Sequence, residues 1–415
     1  MRAIITGLAL LLLLPTTARA EFPDTLTMGH ITIECRTVEE IRRLGLECDD
    51  IPWKDNAARL YVEAVNAHTR PAKEVDDALR QGSKLLKFNN RREEIAEYLD
   101  GSKTALALLK QADALPRCQF PLPRSQMLSA MKLPPLSDYQ ALGRLIAYAA
   151  AWEFAEGRTA EAVDLCLVGL RFGRRVGEQP FLISWLVGTA VLGLSTQPLD
   201  RIIATGTLDD VALKSLSDRL AAASSPSDTL VGAMRSERVF CLAMIEAQDI
   251  QDAAKIDWAA TRTNLGKMYD YLDLLARGPT WEAVKRENDV KAFAEKQVPP
   301  MDPLTLATAA GFSRTFAACA KRRIGLDALR LRIALERFKL AKKAYPETLD
   351  ALVPACIDKL PPDPFSGKPY GYRVEADGHF LFWSIGEDLD DQGGKGDPGQ
   401  PWQGPDCVFT SRPAR

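Results

Sequence analysis

The chain of 415 residues has little excess charge and few residues of the types that commonly act in catalysis. Lys and Arg number 53 against 55 Asp and Glu, so the composition provides no electrostatic basis for binding nucleic acid. Its three histidines, His30, His68 and His379, lie far apart in sequence. The sequence patterns of zinc peptidases, α/β-hydrolases, phosphate-binding loops and dinucleotide-binding domains are absent. We therefore expect no recognisable catalytic centre.

One short match to a catalytic motif remains. Ser129 and Lys132 fit the S-x-x-K pattern of penicillin-interacting serine enzymes, but the companion motifs S-D-N and K-T-G are missing. A pattern with two fixed positions arises by chance in a chain of this length, so we assign it no catalytic role.

The apolar run at the start of the chain is too short to span a bilayer, which needs about 20 residues. Arg2 precedes the apolar residues 8–14, and Ala18-Arg19-Ala20 follows them. This order is typical of a secretory signal peptide with cleavage before Glu21. We expect residues 1–20 to be removed and the mature protein to be periplasmic or secreted in a bacterium, with no membrane span. No cysteine follows the apolar run, which argues against a lipoprotein anchor.

A second uncharged stretch covers residues 181–199. It could be read as a transmembrane helix, but Gly188, Gly193 and Pro198 interrupt it. Its apolar part falls short of the length that a bilayer requires. We therefore predict a buried central helix.

Helical periodicity dominates residues 53–338. Apolar residues recur at spacings of three and four, which indicates the buried faces of amphipathic helices. The three stripes are Ala57, Leu60, Tyr61, Ala64, Val65; Leu85, Leu86, Ile95, Leu99; and Ile324, Ala328, Leu331, Leu335, Phe338. The predicted breaks between helices are residues 116–135, Pro198, Ser225-Pro226, Gly278-Pro279 and residues 299–303. The sequence predicts a mainly α, α-solenoid-like domain of helical hairpins over residues 21–325.

One of these hairpins has a finer signature. Gly157 ends a predicted helix, Thr159 is placed to cap the next one, and Ala160 and Ala162 permit close helix approach. The segment weakly resembles the turn of a tetratricopeptide-type repeat. No 34-residue period accompanies it, so an ordinary αα-hairpin stays open as the alternative.

The pattern changes near the C-terminus. Tyr370, Tyr372 and Val374 alternate with polar or small residues, and residues 379–385 provide a return strand. Asp377-Gly378 fits a two-residue hairpin loop. The sequence predicts that residues 326–415 form a small α+β module with an antiparallel sheet.

The order of short motifs in this module resembles one known family. Residues 345–348 read YPET, residues 359–365 read KLPPDPF, residues 367–373 read GKPYGYR, and residues 382–388 read FWSIGED. Over residues 345–397 the succession is similar to the globular head of the major pseudopilin of type II secretion. The resemblance implies a pseudopilin-like module of the bacterial cell envelope. The chain differs from that family at its start, because pseudopilins keep a long apolar N-terminal helix that signal cleavage would remove here.

The resemblance also implies a calcium site in the acidic loop that follows the last motif. Such loops offer the oxygen ligands that calcium prefers. The implied ligands are Asp388, together with Asp390 or Asp391, and Asp397. A solvated turn of Asp and Gly residues, closed by Cys407, stays open as the alternative. The loop is longer than the family's and its end is rich in proline, which affects the later ligands. An EF-hand is rejected because Gly399 stands where that motif has Glu.

Eight cysteines form an even set, which suits disulfides in an oxidising compartment. Proximity in sequence favours Cys35–Cys48 and Cys356–Cys407. The alternative for the other four, at positions 118, 166, 241 and 319, is that they are small buried apolar residues.

Together these features predict an exported, non-enzymatic envelope protein that binds a protein partner and carries a calcium-stabilised module. Two alternatives stay open. One is a hydrolase with an unrecognised active site in the helical domain, and the other is an accessory of a secretion apparatus.

Overall fold

A computed structural model of the chain describes residues 22–124, 135–223, 229–246, 257–287 and 314–411, with residues 289–290, 292–293, 302, 305, 308–309 and 311–312. The predicted signal peptide and the S-x-x-K match lie outside the described residues.

The described part is mainly helical, with a small three-stranded antiparallel sheet near the C-terminus, so the predicted fold class is confirmed. The helices are α1 (Val38–Arg43), α2 (Ala57–Ala67), α3 (Lys73–Leu85), α4 (Arg92–Gly101), α5 (Lys103–Ala114), α6 (Leu136–Ala155), α7 (Thr159–Gly177), α8 (Leu182–Ala204), α9 (Asp210–Ala223), α10 (Thr229–Glu246), α11 (Trp258–Arg277), α12 (Thr280–Lys285) and α13 (Thr315–Lys342). The strands are β1 (Thr25–Met28), β2 (Ile31–Glu34), β3 (Gly371–Val374), β4 (Phe380–Ser384) and β5 (Cys407–Thr410).

Two of the predicted apolar stripes are buried, and one is only partly right. The residues predicted for α2 are all buried, and so are the first four of the stripe on α13, Ile324, Ala328, Leu331 and Leu335. Leu85, by contrast, is 46% exposed at the end of α3, and Leu86 ends that helix with φ +51°. The prediction that Leu85 and Leu86 belong to a buried helix face is wrong because α3 ends at Leu85. Helical periodicity carries no information past the end of a helix.

Helices α6, α7 and α8 form the centre of the helical region, and glycines let α7 and α8 approach closely. A Cβ on Gly188 would stand 2.4 Å from the carbonyl oxygen of Gly173. A Cβ on Gly173 would stand 2.7 Å from the backbone nitrogen of Leu192. No larger residue fits at either position without moving one helix away from the other.

The uncharged stretch forms α8, which packs against α6, α7 and α13. Among the described residues, α8 is long and apolar enough to cross a membrane by length and composition, but 61% of its most apolar 18-residue window is buried inside the protein. The predicted break at Pro198 is wrong, because α8 continues through this proline to Ala204. Pro198 is itself buried, so packing outweighs the cost of the missing backbone donor.

The turn between α6 and α7 follows the prediction in outline and differs in detail. Gly157 takes φ +80° after α6, as expected of a helix-ending glycine. Helix α7 begins at Thr159 itself, and the preceding Arg158 makes no side-chain cap. Ala162 is fully buried, whereas Ala160 is exposed. Close helix approach therefore comes from the glycines of α7 and α8 more than from the predicted alanine pair.

A short hairpin at the N-terminal end of the described chain was not predicted. Strands β1 and β2 pair antiparallel, with Met28 opposite Ile31, and Gly29 in the turn has φ +59°. Met28 and Ile33 are buried. Four-residue strands give too little alternation for a pattern to emerge.

The C-terminal sheet has the order β3-β4-β5. Strands β3 and β4 form the predicted hairpin, with Val374 opposite Phe380. Its loop has three residues, 376–378, because the amide of Glu375 donates to the carbonyl of His379 at 2.7 Å. Of Asp377 and Gly378 only the glycine has positive φ, so the two-residue loop is replaced by the three-residue type that needs one glycine. Strand β5, which pairs with β4, was not predicted.

Helix α13 belongs to both parts of the molecule. Ile324 and Leu331 pack into the core of the C-terminal module, whereas Leu329 and Ile333 pack into the core of the helical region. The buried Arg332 pairs with Asp200 of α8 and donates to the carbonyl of Thr410 at 2.9 Å. The predicted boundary between residues 325 and 326 falls inside this helix.

All eight cysteines, which lie within the described residues, are free thiols, and none is at disulfide distance from another. The pairs Cys35–Cys48 and Cys356–Cys407 are therefore not formed in this structure, and their formation in the exported protein stays a prediction. Cys35, Cys48, Cys166 and Cys407 are buried. Cys118, Cys241, Cys319 and Cys356 are only partly buried.

Candidate functional site

The four predicted calcium ligands lie exposed on the loop after β4, where each carboxylate accepts hydrogen bonds close in sequence. Asp388 accepts from the backbone of Asp390 at 3.2 Å and from the Gln392 side chain at 2.9 Å. Asp391 accepts from the indole of Trp383 and the amide of Gly393, both at 2.9 Å, and these hydrogen bonds lower its pKa.

Asp397 lies farther along the loop and accepts from the backbone of Gly399 at 2.8 Å. Asp390 approaches the Gln392 side chain at 3.5 Å. The described residues contain no group of three or more His, Cys, Asp or Glu side chains arranged to hold a metal ion. Binding of calcium to this loop stays a prediction.

Sequence reasoning missed two buried carboxylates that organise the module. Asp363 has no exposed surface, and its oxygens accept from the hydroxyl of Ser384 at 2.6 Å and of Ser366 at 2.9 Å. The amides of Phe365 and Ile385 donate to the same carboxylate at 3.1 and 3.3 Å. Asp363 thereby fastens the proline-rich segment 361–364 to the end of β4.

Asp406 holds the acidic loop by accepting hydrogen bonds from its backbone. It is fully buried before β5, and its carboxylate accepts from the amides of Gly394 and Lys395 at 2.8 and 2.9 Å. The amide of Gln392 approaches the other oxygen at 3.4 Å. The loop is therefore held from the inside by one aspartate while its predicted metal ligands face solvent.

A cleft of about 300 Å³ lies where the helical region meets the C-terminal module. Helices α8, α10, α11, α12 and α13 form most of its wall, and prolines 361, 362 and 364 of the module form the rest. The apolar side chains that line it are Trp185, Leu230, Val231, Leu275, Ala276, Trp281, Ala283, Phe316 and Leu326. The volume is at the lower end of the range for small-molecule sites.

Three arginines of α13 are among the residues that line this cleft: Arg322, Arg323 and Arg330. The Arg322 guanidinium lies 6.0 Å from the centre of the Trp185 ring, and burial lowers its pKa. Arg323 is exposed. Because arginine keeps its charge at any physiological pH, all three are positive.

Asp327 is the carboxylate among the described residues that line the cleft. It approaches Arg330 at 3.4 Å and accepts from the hydroxyl of Tyr370 at 3.3 Å. Burial raises the pKa of Asp327 to about 6, while Arg330, Tyr370 and Arg323 act in the opposite direction. The carboxyl group therefore changes charge near neutral pH, unlike an exposed aspartate.

Helix α12 contacts the module through Trp281, which also lines the cleft. Gly367 has φ +74°, and a Cβ on it would stand 2.6 Å from the indole of Trp281. Lys321 of α13 pairs with Glu387 of the module at 2.5 Å. The contact of Gly367 with Trp281, which lines the cleft, joins α12 to the module.

The histidines lie away from this cleft. His68 contacts the hydroxyl of Tyr98 at 3.0 Å, and burial lowers its pKa. His379 contacts the hydroxyl of Ser411 at 3.0 Å beside β4. His30 lies in the turn between β1 and β2. None of the three lines the cleft.

The spacing of three charged residues on α13 is the sequence signal that corresponds to the cleft. Arg323, Asp327 and Arg330 are spaced by four and three residues, which places them on one face of a helix. On its own this spacing also describes a solvated helix face. The walls come from residues more than a hundred positions apart, and periodicity cannot bring them together.

No family model, curated protein or solved structure matches this chain.

Proposed function

We propose that this chain is a non-enzymatic binding protein of the bacterial cell envelope, and that the cleft between the helical region and the module is its ligand-binding site. The observation that carries the proposal is the cleft itself, with apolar walls on several elements and charged groups gathered on α13. Sites for small ligands are typically concave and apolar with a few placed polar groups. Export rests on the sequence of residues 1–20 alone.

The side chains at the cleft favour binding over catalysis. Glycosidases usually use a pair of carboxylates, and among the described lining residues Asp327 provides a single one. Burial raises the pKa of the Cys319 thiol, which disfavours the reactive thiolate.

The experiment is native mass spectrometry of the mature protein purified from the envelope fraction of its host. We expect a non-covalent adduct on the wild type that is lost in Ala276→Trp, because the new ring fills the cleft. Val211→Trp, at a position 77% exposed on α9 and outside the cleft, should keep the adduct. An adduct retained in Ala276→Trp would place the binding site elsewhere.

A hydrolase is the second candidate, and the raised pKa of Asp327 is the observation that favours it. A carboxyl group with a pKa of about 6 could donate a proton near neutral pH. The test is turnover of chromogenic esters, phosphates and glycosides by the wild type and Asp327→Asn. Turnover that disappears in Asp327→Asn while ligand binding persists would establish this candidate in place of the first.

The C-terminal part is proposed to be a pseudopilin-like module whose acidic loop takes calcium. The antiparallel sheet and the exposed carboxylates after β4 are compatible with that reading, and the sequence resemblance is its basis. A protein partner in the envelope is proposed on the same basis.

A further inference from the structure

We propose that the contact between α13 and the C-terminal module is pH-sensitive, firm in acid and loosened above neutral pH. This contact, the seam, joins α13 to Tyr345, Tyr370 and Thr410. Two carboxyl groups of α13, those of Asp327 and Glu336, lie in the seam and control it. The seam requires no ligand in the cleft, so this property is independent of the proposed function.

Each of the two carboxyl groups contacts a tyrosine across the seam. Asp327 accepts from the hydroxyl of Tyr370 at 3.3 Å, and Glu336 accepts from the hydroxyl of Tyr345 at 2.8 Å. Both acidic residues are buried, with 7% of each exposed. They are nine residues apart in α13, which is about 13 Å along the helix axis. The two contacts therefore attach the module to α13 at two separate points.

The donors around Asp327 suit a neutral carboxyl group better than an anion. Its contacts with Tyr370 and Arg330, at 3.3 and 3.4 Å, exceed the usual limit of about 3.0–3.2 Å for hydrogen bonds. Asp363, which is also buried, accepts from two hydroxyl groups at 2.6 and 2.9 Å and from two amides. A buried carboxylate is stable when close donors satisfy its oxygens. Asp327 therefore has the weaker support for a negative charge.

The groups around Asp327 do not reverse this preference. The titratable and charged groups that face Asp327 and its tyrosine partner are Arg323, Arg330, Tyr370, Asp363 and Cys407. Burial raises the pKa of Asp327 to about 6, and it outweighs the two arginines and the tyrosine hydroxyl. Burial also raises the pKa of Tyr370, so its hydroxyl remains a donor throughout this pH range.

Glu336 has the same preference for the neutral form. Burial raises its pKa with a contribution from Asp200 of α8, while Tyr345, Arg332 and Lys339 act in the opposite direction. Arg332, which pairs with Asp200, also donates to the carbonyl of Thr410 at 2.9 Å. Because arginine keeps its charge, this central contact persists when the two carboxyl groups ionise.

Ionisation should loosen the seam without detaching the module. A carboxylate at position 327 gains stability from water, and water reaches it if the module moves away from α13 at this point. Asp327 lines the cleft opposite prolines 361, 362 and 364 of the module, so the cleft should widen. In acid the neutral carboxyl group still accepts from the tyrosine through its carbonyl oxygen, and the seam closes.

The test is amide hydrogen exchange of the mature full-length chain between pH 5 and pH 8, with labelling times adjusted for the intrinsic effect of pH on exchange. We expect the amides of residues 361–374 to exchange at least about tenfold faster at pH 8 than at pH 5. The midpoint should lie near pH 6. The amides of α2, which packs against α5, should show no such change.

Variants assign the response to the two carboxyl groups. Asp327→Asn combined with Glu336→Gln should keep slow exchange at both pH values, because both replacements are neutral. Tyr370→Phe removes a donor that favours ionised Asp327, so it should move the midpoint to higher pH. Glu94→Gln, in an exposed ion pair of α4, is the matched control and should respond as the wild type does.

Equal adjusted exchange of the wild type at pH 5 and pH 8 would overturn the proposal. A pH response that survives in the double variant would do the same. A response of equal size in α2 would also contradict it, because the entire chain and not the seam would then be losing stability. If the double variant does not fold, Tyr370→Phe decides, and an unchanged midpoint in that variant would refute the role of Asp327.

Discussion

The helical region and the C-terminal module are held together by different means. In the helical region, long helices bury apolar faces, and glycines at the crossing of α7 and α8 allow close packing. In the module, strands of four or five residues are short, and buried carboxylates gather hydroxyl and amide donors from separate loops. Close packing of helices therefore stabilises the helical region, whereas the module adds buried, satisfied carboxylates to its apolar core.

This difference determines what a substitution does in each region. A methyl group added at a helix crossing has no space, whereas a carboxylate removed from the module leaves several donors without an acceptor. The clustered acidic residues of the loop after β4 are exposed. The carboxylates that organise the module are Asp363 and Asp406, which are buried and stand alone in the sequence. Four experiments test this contrast.

Asp363→Ala should produce the largest effect. We expect the free energy of unfolding to fall by about 3–4 kcal/mol, because four donors lose their shared buried acceptor. Urea denaturation of the mature chain measures it. Asp390→Ala, on the exposed loop, is the control and should change stability little. Equal losses in the two variants would contradict the distinction between buried and exposed carboxylates.

Asp327→Asn should stabilise the protein at neutral pH. Burial raises the folded-state pKa of Asp327 from 3.8 to about 6, so the folded protein binds this proton more tightly than the unfolded chain. Ionised Asp327 therefore lowers the free energy of unfolding. This destabilisation is absent below pH 3.8, grows as pH rises and is complete above pH 6, where it amounts to about 3 kcal/mol. Replacement by Asn should recover up to this amount at pH 7.5 and little at pH 4. Denaturation at both pH values measures it, and a gain equal at both would refute the assigned cause.

Calcium should stabilise the acidic loop if the implied ligands bind it. A ligand specific for the folded state adds about 2.7 kcal/mol at a hundredfold excess over its dissociation constant. The measurement is heat denaturation of the mature chain with calcium and with a chelator, and Asp388→Ala should lose the response. Identical curves for the wild type in both conditions would reject the site.

Gly188→Ala should lower the free energy of unfolding by about 1–3 kcal/mol, because its methyl group would collide with the backbone of α7. Gly193→Ala is the matched control on the same helix. A Cβ there meets nothing within 4 Å, so it should raise stability by up to about 1 kcal/mol through helix propensity. Urea denaturation of both variants measures the two changes in the free energy of unfolding. Similar effects at the two positions would show that the crossing tolerates a wider spacing.

The sequence was informative where a long, regular element repeats its pattern. The buried faces of α2 and α13 could be predicted because several helical turns bury the same face. The hairpin of β3 and β4 could be predicted because alternating strand residues flank a glycine. Strands β1, β2 and β5 were too short to show a pattern. Pro198 was misjudged because tertiary burial outweighs the helix-breaking tendency of one residue.

The candidate site was less accessible to sequence reasoning. Arg323, Asp327 and Arg330 share a helix face, but their meaning depends on walls contributed by residues 230–283 and 361–364. Asp363 lies within the KLPPDPF motif of residues 359–365, but nothing in that motif shows that its carboxylate is buried. Long-range contacts of this kind follow from the packed chain.

Helix α13 has a consequence for how the protein unfolds. Its side chains belong to two hydrophobic cores at once, so loss of either core removes support from the same helix. The helical region and the module should therefore melt together in one cooperative transition. A fragment that begins at residue 326 would start partway along this helix and expose Leu329 and Ile333 to solvent. Proteolysis under native conditions should accordingly spare the centre of α13 until the entire molecule opens.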